Sequence, residues 1–123
     1  MNRLNLSEIS VNQLVEQFVK IALDQDRCIQ LNDNDGYAAL YQKMSAIETE
    51  LKARNGDART ALLQLYDHPN IEVRLKAARA TLAVAPQQAR KALEAIRVSK
   101  FYPAALDAGM AIRNLDDGIY KPE

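Results

Sequence analysis

Tryptophan is absent from this 123-residue sequence, and cysteine and histidine each occur once. A single cysteine excludes an internal disulfide framework, and the lack of a Cys/His cluster excludes an ordinary zinc site. No apolar run approaches the roughly 18 residues of a membrane span, and we expect no signal peptide because the start of the chain lacks such a run. The 16 basic and 16 acidic residues leave no net charge. These absences predict a cytoplasmic protein without a metal, a cofactor or a membrane segment.

Helix-forming residues dominate what is present. Alanine and leucine account for 34 residues, whereas threonine occurs three times and valine six times. Glycine and proline divide the chain into segments of helical length. Because β-branched residues are too few for a sheet, the composition predicts an all-α chain of about six helices.

Capping and breaking residues predict where these helices begin and end. The first helix begins at Ser10, and Gln13 completes a capping box three residues later. The polar segment 32–36 separates the first helix from the second. Gly56 ends the second helix, and Asp57 and Asn70 are expected to cap the third and fourth. The fourth helix is expected to end at about Val84. Pro86 and Pro103 are expected in the first turns of the fifth and sixth helices.

The sixth predicted helix has an apolar stripe that we expect to face the core. Its small residue Gly109 is expected to allow close approach of a neighbouring helix. The inward-facing residues of this helix are expected to be Ala105, Leu106, Met110, Ile112 and Leu115.

Three prolines recur at a constant interval. Pro69, Pro86 and Pro103 are each 17 residues apart, so one helix and one turn per interval give a two-helix unit of 34 residues. This period predicts stacked helical hairpins. A tetratricopeptide repeat has the same period, but its motif needs a small residue where this sequence has Arg74 or Lys91.

The segment 62–82 reads LLQLYDHPNIEVRLKAARATL and resembles a HEAT repeat: a leucine-rich helix, an Asp/Pro/Asn turn, then a helix with Val-Arg and paired alanines. The whole chain also resembles a small uncharacterised bacterial family of HEAT-like single-domain proteins. The resemblance implies one domain, 1–123, built as a short right-handed α-α superhelix. Its expected parts are hairpins 10–55, 57–85 and 86–117 and a tail 118–123. In HEAT families the turn Asp and the helix Arg form an inter-repeat ladder, which gives Asp67 and Arg74 a structural role.

HEAT-like solenoids bind proteins, so the resemblance implies a non-enzymatic protein-interaction module, and in a sharper form an immunity-type inhibitor of a bacterial toxin. Residues 74–100 contain seven basic residues and one acidic residue, a net charge of +6. Such a segment can steer a charged partner, and a nucleic-acid-binding accessory protein is the alternative. The predicted partner-binding residues are Lys76, Arg79, Arg90, Lys91 and Arg97.

Weaker hypotheses come from other classes. Cys28 and His68 are a conceivable nucleophile and base, but no third catalytic group or motif accompanies them, so we predict no enzyme. The segment 32–36 resembles the start of a calcium loop, yet Leu31 and Gln42 stand where acidic ligands are required. We therefore predict no metal site. The chain is expected to be a monomer or a weak homodimer.

Overall fold

The computed structural model describes residues 5–123 and shows an all-helical protein. Those residues form five α-helices and two 3-10 helices, without any strand. The chain divides into two compact units, the first ending at Ala61 and the second beginning at Leu62. The all-α prediction is confirmed. The single domain 1–123 stays a prediction, and its first four residues lie outside the described range.

The first unit contains a short 3-10 helix, Leu6–Glu8, followed by α1, Val11–Gln30, and α2, Asn34–Ala53. α1 and α2 pack against each other. Arg54 follows α2 and donates a hydrogen bond of 2.9 Å to the carbonyl oxygen of Leu6, which ties the 3-10 helix to the end of α2. The buried apolar residues of the two helices are Leu14, Val15, Phe18, Ile21, Ala22, Met44, Ile47 and Leu51.

Side chains cap both helices of this unit. The Oγ of Ser10 accepts the backbone N–H of Gln13 at 3.1 Å, and the Oε1 of Gln13 accepts the N–H of Ser10 at 2.8 Å. The predicted capping box is thus confirmed. At the start of α2, Oδ1 of Asp33 accepts the N–H of Gly36 at 2.9 Å.

The polar segment 32–36 forms a shorter turn than predicted, because α2 already begins at Asn34. Asn32 has a left-handed φ of 55° and reverses the chain. A Cβ at Gly36 would meet the carboxylate of Asp33, so a larger residue there would have to displace the capping side chain. The segment is a capping turn, and the described residues contain no group of three or more Asp, Glu, His or Cys placed to hold a metal.

A second 3-10 helix, Ala58–Asp67, stands where the sequence predicts the third α-helix. Asp57 lies before it with a left-handed φ of 59°. Its carboxylate is 2.6 Å from Nη2 of Arg59 and also accepts the Arg59 backbone N–H at 3.2 Å. The hydrogen bond from the Arg59 side chain lowers the pKa of Asp57. The predicted α-helical cap at Asp57 is therefore replaced by a tight local ion pair, and a 3-10 helix follows.

The second unit is built from α3, Ile71–Ala80, α4, Pro86–Ser99, and α5, Ala104–Asp116. α3 packs against α4 and α5, and α4 packs against α5. Each of the three helices contributes at least one buried alanine to the packed faces. The buried core of this unit comprises Leu75, Ala78, Leu82, Ala89, Leu93, Ile96, Ala104, Ala108 and Ile112.

Helix boundaries in this unit agree with the sequence at their starts more than at their ends. Asn70 caps α3 as predicted, and Pro86 is the first residue of α4. Pro103 is the cap residue before α5 rather than a member of its first turn. α3 ends at Ala80, four residues before the predicted end at Val84.

α5 does not bury all of the residues predicted to face inward. Ile112 is in the core, but Leu106 and Met110 are 57% and 54% exposed. Gly109 does not mediate a close approach of backbones. A Cβ built on it would lie 3.5 Å from Cδ of the Arg97 side chain, which is an ordinary contact distance. α5 therefore has a second apolar face that the core does not use.

Candidate interaction surface

The five predicted partner-binding cations lie in the second unit, in different surroundings. Arg79 and Lys91 are exposed. Lys76 is buried, and its Nζ lies 3.0 Å from Oε1 of Glu72, whose side chain is only 2% exposed. The charge of Lys76 is neutralised inside the protein, so Lys76 offers no positive charge to a partner. Four of the five cations remain on the surface.

Two of these four cations form surface ion pairs. Arg90 donates two hydrogen bonds, of 2.7 and 3.0 Å, to the carboxylate of Asp116 and so links α4 to the end of α5. These bonds hold the pKa of Asp116 below its usual range. Arg97 donates to Glu94 at 2.8 Å within α4. Because both pairs are largely exposed, each contributes little stability, and its cation stays within reach of a partner.

The predicted ladder residues do not pair with each other. Asp67 is exposed and Arg74 is half-buried, and in residues 5–123 neither forms an ion pair. Nε of Arg74 is buried without a hydrogen-bond partner.

A cluster of large apolar side chains is exposed around the end of α4 and the first half of α5. Their exposed fractions range from 54% to 71%. We call this group the α4–α5 surface. Its members are Val98, Phe101, Tyr102, Leu106 and Met110.

Cations border the α4–α5 surface. An open groove of about 510 Å³ runs along it, lined in part by Leu106 and Met110. Arg97, Lys100 and Arg113 also line this groove. The groove therefore combines an apolar floor with a positively charged rim, and a partner that fits it would carry apolar side chains flanked by carboxylates.

The prediction that Leu106 and Met110 face the core is wrong, because it treats α5 as having one apolar stripe. Ala105, Ala108 and Ile112 follow one helical face, and Leu106 and Met110 follow another. Two apolar stripes are more than a helix with one covered face can bury. The second apolar stripe of α5 is therefore the sequence feature that could have predicted an exposed apolar surface.

Cys28 and His68, the residues of the conceivable dyad, lie in different units, and each makes a local contact. Sγ of Cys28 lies 3.9 Å from Oδ2 of Asp33. Desolvation and the neighbouring Asp33 charge raise the pKa of the Cys28 thiol, which opposes formation of the nucleophilic thiolate. Nδ1 of His68 accepts the backbone N–H of Asn70 at 3.0 Å, so this nitrogen serves the turn before α3.

Comparison with known proteins places the chain in a family. A family profile described as "Domain of unknown function (DUF2019)" matches residues 12–116. The chain belongs to the DUF2019 family. A comparison with curated proteins finds no match for this DUF2019 protein.

The DUF2019 chain is similar to a protein of known structure. The crystal structure of the protein RPA1889 from Rhodopseudomonas palustris CGA009 matches it with a TM-score of 0.94 and 48% sequence identity. The match covers 98% of this chain and 100% of that chain. The expectation of a small, uncharacterised bacterial helical family is thereby confirmed. No helix within residues 5–123 combines the length and the apolar character needed to cross a membrane.

Proposed function

We propose that this DUF2019 protein is a non-enzymatic protein-interaction module that binds its partner through the α4–α5 surface. The single observation that carries the proposal is a groove lined by four exposed large side chains of this surface, all but Phe101, together with Arg97, Lys100 and Arg113. Clustered exposed apolar residues mark interaction sites, and tyrosine and arginine supply many of the residues that dominate binding energy. The partner's chemistry follows from the groove: apolar side chains with acidic neighbours.

The proposal is tested by capture of partners with two matched variants. Leu106→Glu places a charge on the α4–α5 surface, and Leu31→Glu makes the same change at an exposed leucine of the first unit. We expect the wild type and Leu31→Glu to retain a stoichiometric protein from a lysate of the source cells, and Leu106→Glu to lose it. No captured protein, or equal capture by both variants, would overturn the proposal. Circular dichroism checks that both variants are folded.

The exposed cations are proposed to steer the partner. We expect reversal of Arg97 and Lys100 to slow association with the captured protein by about tenfold at low salt, because opposite charges accelerate encounter. Reversal of Arg79 and Lys91 tests two of the three remaining predicted surface contacts in the same way, the third being Arg90, which pairs with Asp116. A loss of the effect at high salt identifies steering, since screening removes it. Unchanged association rates in both double variants would reject steering.

In its finer form, the proposal is an immunity-type inhibitor whose α4–α5 surface covers a bacterial toxin domain. A small module with an apolar groove and a charged rim has the means to cover another protein's surface without chemistry of its own. Co-expression with a toxin domain from an adjacent gene tests this form. We expect the wild type and Leu31→Glu to restore growth and Leu106→Glu to fail, and toxicity unaffected by the wild type would reject the inhibitor.

We also propose a HEAT-like right-handed stack as the arrangement of the helices. The packing of α3 on α4 and of α4 on α5, and the constant proline interval, support it. A crystal structure measures the handedness directly. Helices that do not stack as successive right-handed hairpins would contradict the proposal.

One observation favours nucleic acid as a second candidate partner. Phe101 and Tyr102 are exposed and follow Lys100 directly, and aromatic rings beside cations can stack on unpaired bases. Titration with a fluorescent single-stranded oligonucleotide at low salt tests this candidate. Binding that falls with salt and weakens in Phe101→Ala would support it, and a flat titration removes it.

A further inference from the structure

A smaller groove is lined mainly by residues of α4, together with Arg74 of α3 and Tyr66 of the 3-10 helix before it. Its volume is about 320 Å³, the lower end of the range for ligand pockets. Ala92, Ala95 and Ile96 of α4 form its apolar floor, and Tyr66 lies at one side. We call it the α3–α4 groove. It shares no lining residue with the groove of the proposed protein-binding surface.

Two cations and no acidic side chain line the α3–α4 groove. Arg74 comes from α3, and Lys91 comes from α4. Nε of Arg74 is buried without a hydrogen-bond partner. That nitrogen is closed to solvent, so a ligand in the groove can accept only from the part of the guanidinium that stays accessible, and Arg74 forms no ion pair within residues 5–123. The groove therefore carries unused positive charge next to an apolar floor.

A hydrogen bond within the protein fixes the position of Tyr66 at the side of the α3–α4 groove. The hydroxyl of buried Thr81 donates to the carbonyl oxygen of Ala77 at 2.8 Å. Because a threonine hydroxyl has one proton, the Tyr66 hydroxyl donates in its hydrogen bond with Thr81. Burial raises the pKa of the Tyr66 phenol, which is neutral near pH 7 even without that shift. The phenol ring thus gives the groove a fixed side.

We propose that the α3–α4 groove binds a carboxylate carried on a short apolar stem. The carboxylate accepts hydrogen bonds from the guanidinium of Arg74, a pairing that planar geometry favours, and Lys91 adds a second positive charge. The stem lies on Ala92, Ala95 and Ile96. A phosphate suits the groove less well, because a dianion needs more donors than a mostly apolar lining supplies. The same chemistry is offered by a free monocarboxylate and by the C-terminus of a peptide that ends in an apolar residue.

Methyl NMR titration of the full chain tests the proposal, because alanine and isoleucine methyl groups form the floor. The probes are hexanoate, hexanamide, inorganic phosphate, and an acetylated Ala-Ala-Ala-Ala-Leu peptide with a free or an amidated C-terminus. We expect saturable shifts of Ala92, Ala95 and Ile96 with hexanoate or the free-acid peptide. Each amide should bind at least about tenfold more weakly, since it lacks the charge that pairs with Arg74. The stronger of the two carboxylates identifies the source.

The Arg74→Met variant keeps an apolar stem but removes the guanidinium, and Arg113→Met is its matched control on the α4–α5 surface. We expect Arg74→Met to abolish the shifts and Arg113→Met to retain them. If Arg74→Met does not fold, Lys91→Met, at an exposed position, must weaken binding several-fold. Equal binding of an amide, tighter binding of phosphate, binding retained in these groove variants, or no saturation with either carboxylate overturns the proposal. Methyl shifts at Leu106 and Met110 report on the α4–α5 surface. A failure of carboxylate binding in the α3–α4 groove can therefore be distinguished from a failure of protein binding at the α4–α5 surface.

Discussion

Gln25 is a fully buried polar side chain in α1, and its surroundings do not satisfy it. Its side chain is 0% exposed, and neither Oε1 nor Nε2 has a hydrogen-bond partner within the described residues. Glu72 and Lys76, also buried, satisfy each other across one helical turn. The contrast identifies Gln25 as a position where polarity opposes folding, because an amide removed from water without a partner costs free energy.

Replacing Gln25 with leucine should stabilise the protein. We expect the free energy of unfolding to rise by about 1 kcal/mol or more, because the change removes an unsatisfied amide and keeps a side chain of similar size. Urea denaturation measures the effect. Gln17→Leu, at an exposed position of the same helix, is the control and should change stability little. A Gln25→Leu variant less stable than the wild type would contradict the assignment.

α3 begins at a side chain that caps it and ends where a tertiary contact occurs. Oδ1 of Asn70 accepts the N–H groups of Glu72 and Val73 at 2.8 and 3.2 Å, which starts α3. At the other end, Thr81 bonds back to Ala77 and also to the phenol of Tyr66. This second contact spans fifteen residues of sequence. It lies where α3 ends, so local propensity alone does not indicate that boundary.

The cap of α3 makes a specific prediction. Asn70→Ala should lower the free energy of unfolding by about 1 kcal/mol, because two N–H groups of the first turn lose their acceptor. Asn70→Asp should keep most of the wild-type stability, because a carboxylate oxygen can accept from the same N–H groups. Thermal and urea denaturation measure both variants. Asn12→Ala, at an exposed position in the first turn of α1, is the comparison. Equal effects at residues 70 and 12 would rule out a special role for the cap.

At the scale of the molecule, each compact unit has its own buried residues. Leu14 in the first unit and Leu93 in the second are both 0% exposed. Truncating either one removes apolar contacts and leaves a cavity. The prediction of a single domain requires that both units unfold together.

Leu14→Ala and Leu93→Ala test that requirement. Each should lower the free energy of unfolding by roughly 2–5 kcal/mol, and both should shift one shared transition. Leu106→Ala, at an exposed leucine of α5, should shift it far less. Calorimetry and denaturation followed by circular dichroism measure the transitions. Two separate transitions, each responding to one variant, would contradict the single domain.

Composition and local motifs were sufficient for the helical class and for most helix starts. Ser10 with Gln13, Asn70 and Pro86 each act within a few residues of their own position, so their effect can be derived from neighbouring sequence. The replacement of the third α-helix by a 3-10 helix was not predictable in this way. It accompanies the left-handed conformation of Asp57 and its ion pair with Arg59, which a cap motif does not reveal.

Exposure was decided by tertiary structure. Lys76 and Lys91 are the same residue type in one basic segment, yet Glu72 neutralises the first inside the protein, and the second lines an open groove. Leu106 and Ile112 lie on one helix, but only the face of Ile112 is covered. Periodicity states which residues share a face. Which face is covered depends on packing between helices, and both candidate binding sites include residues that this packing leaves uncovered or unpaired.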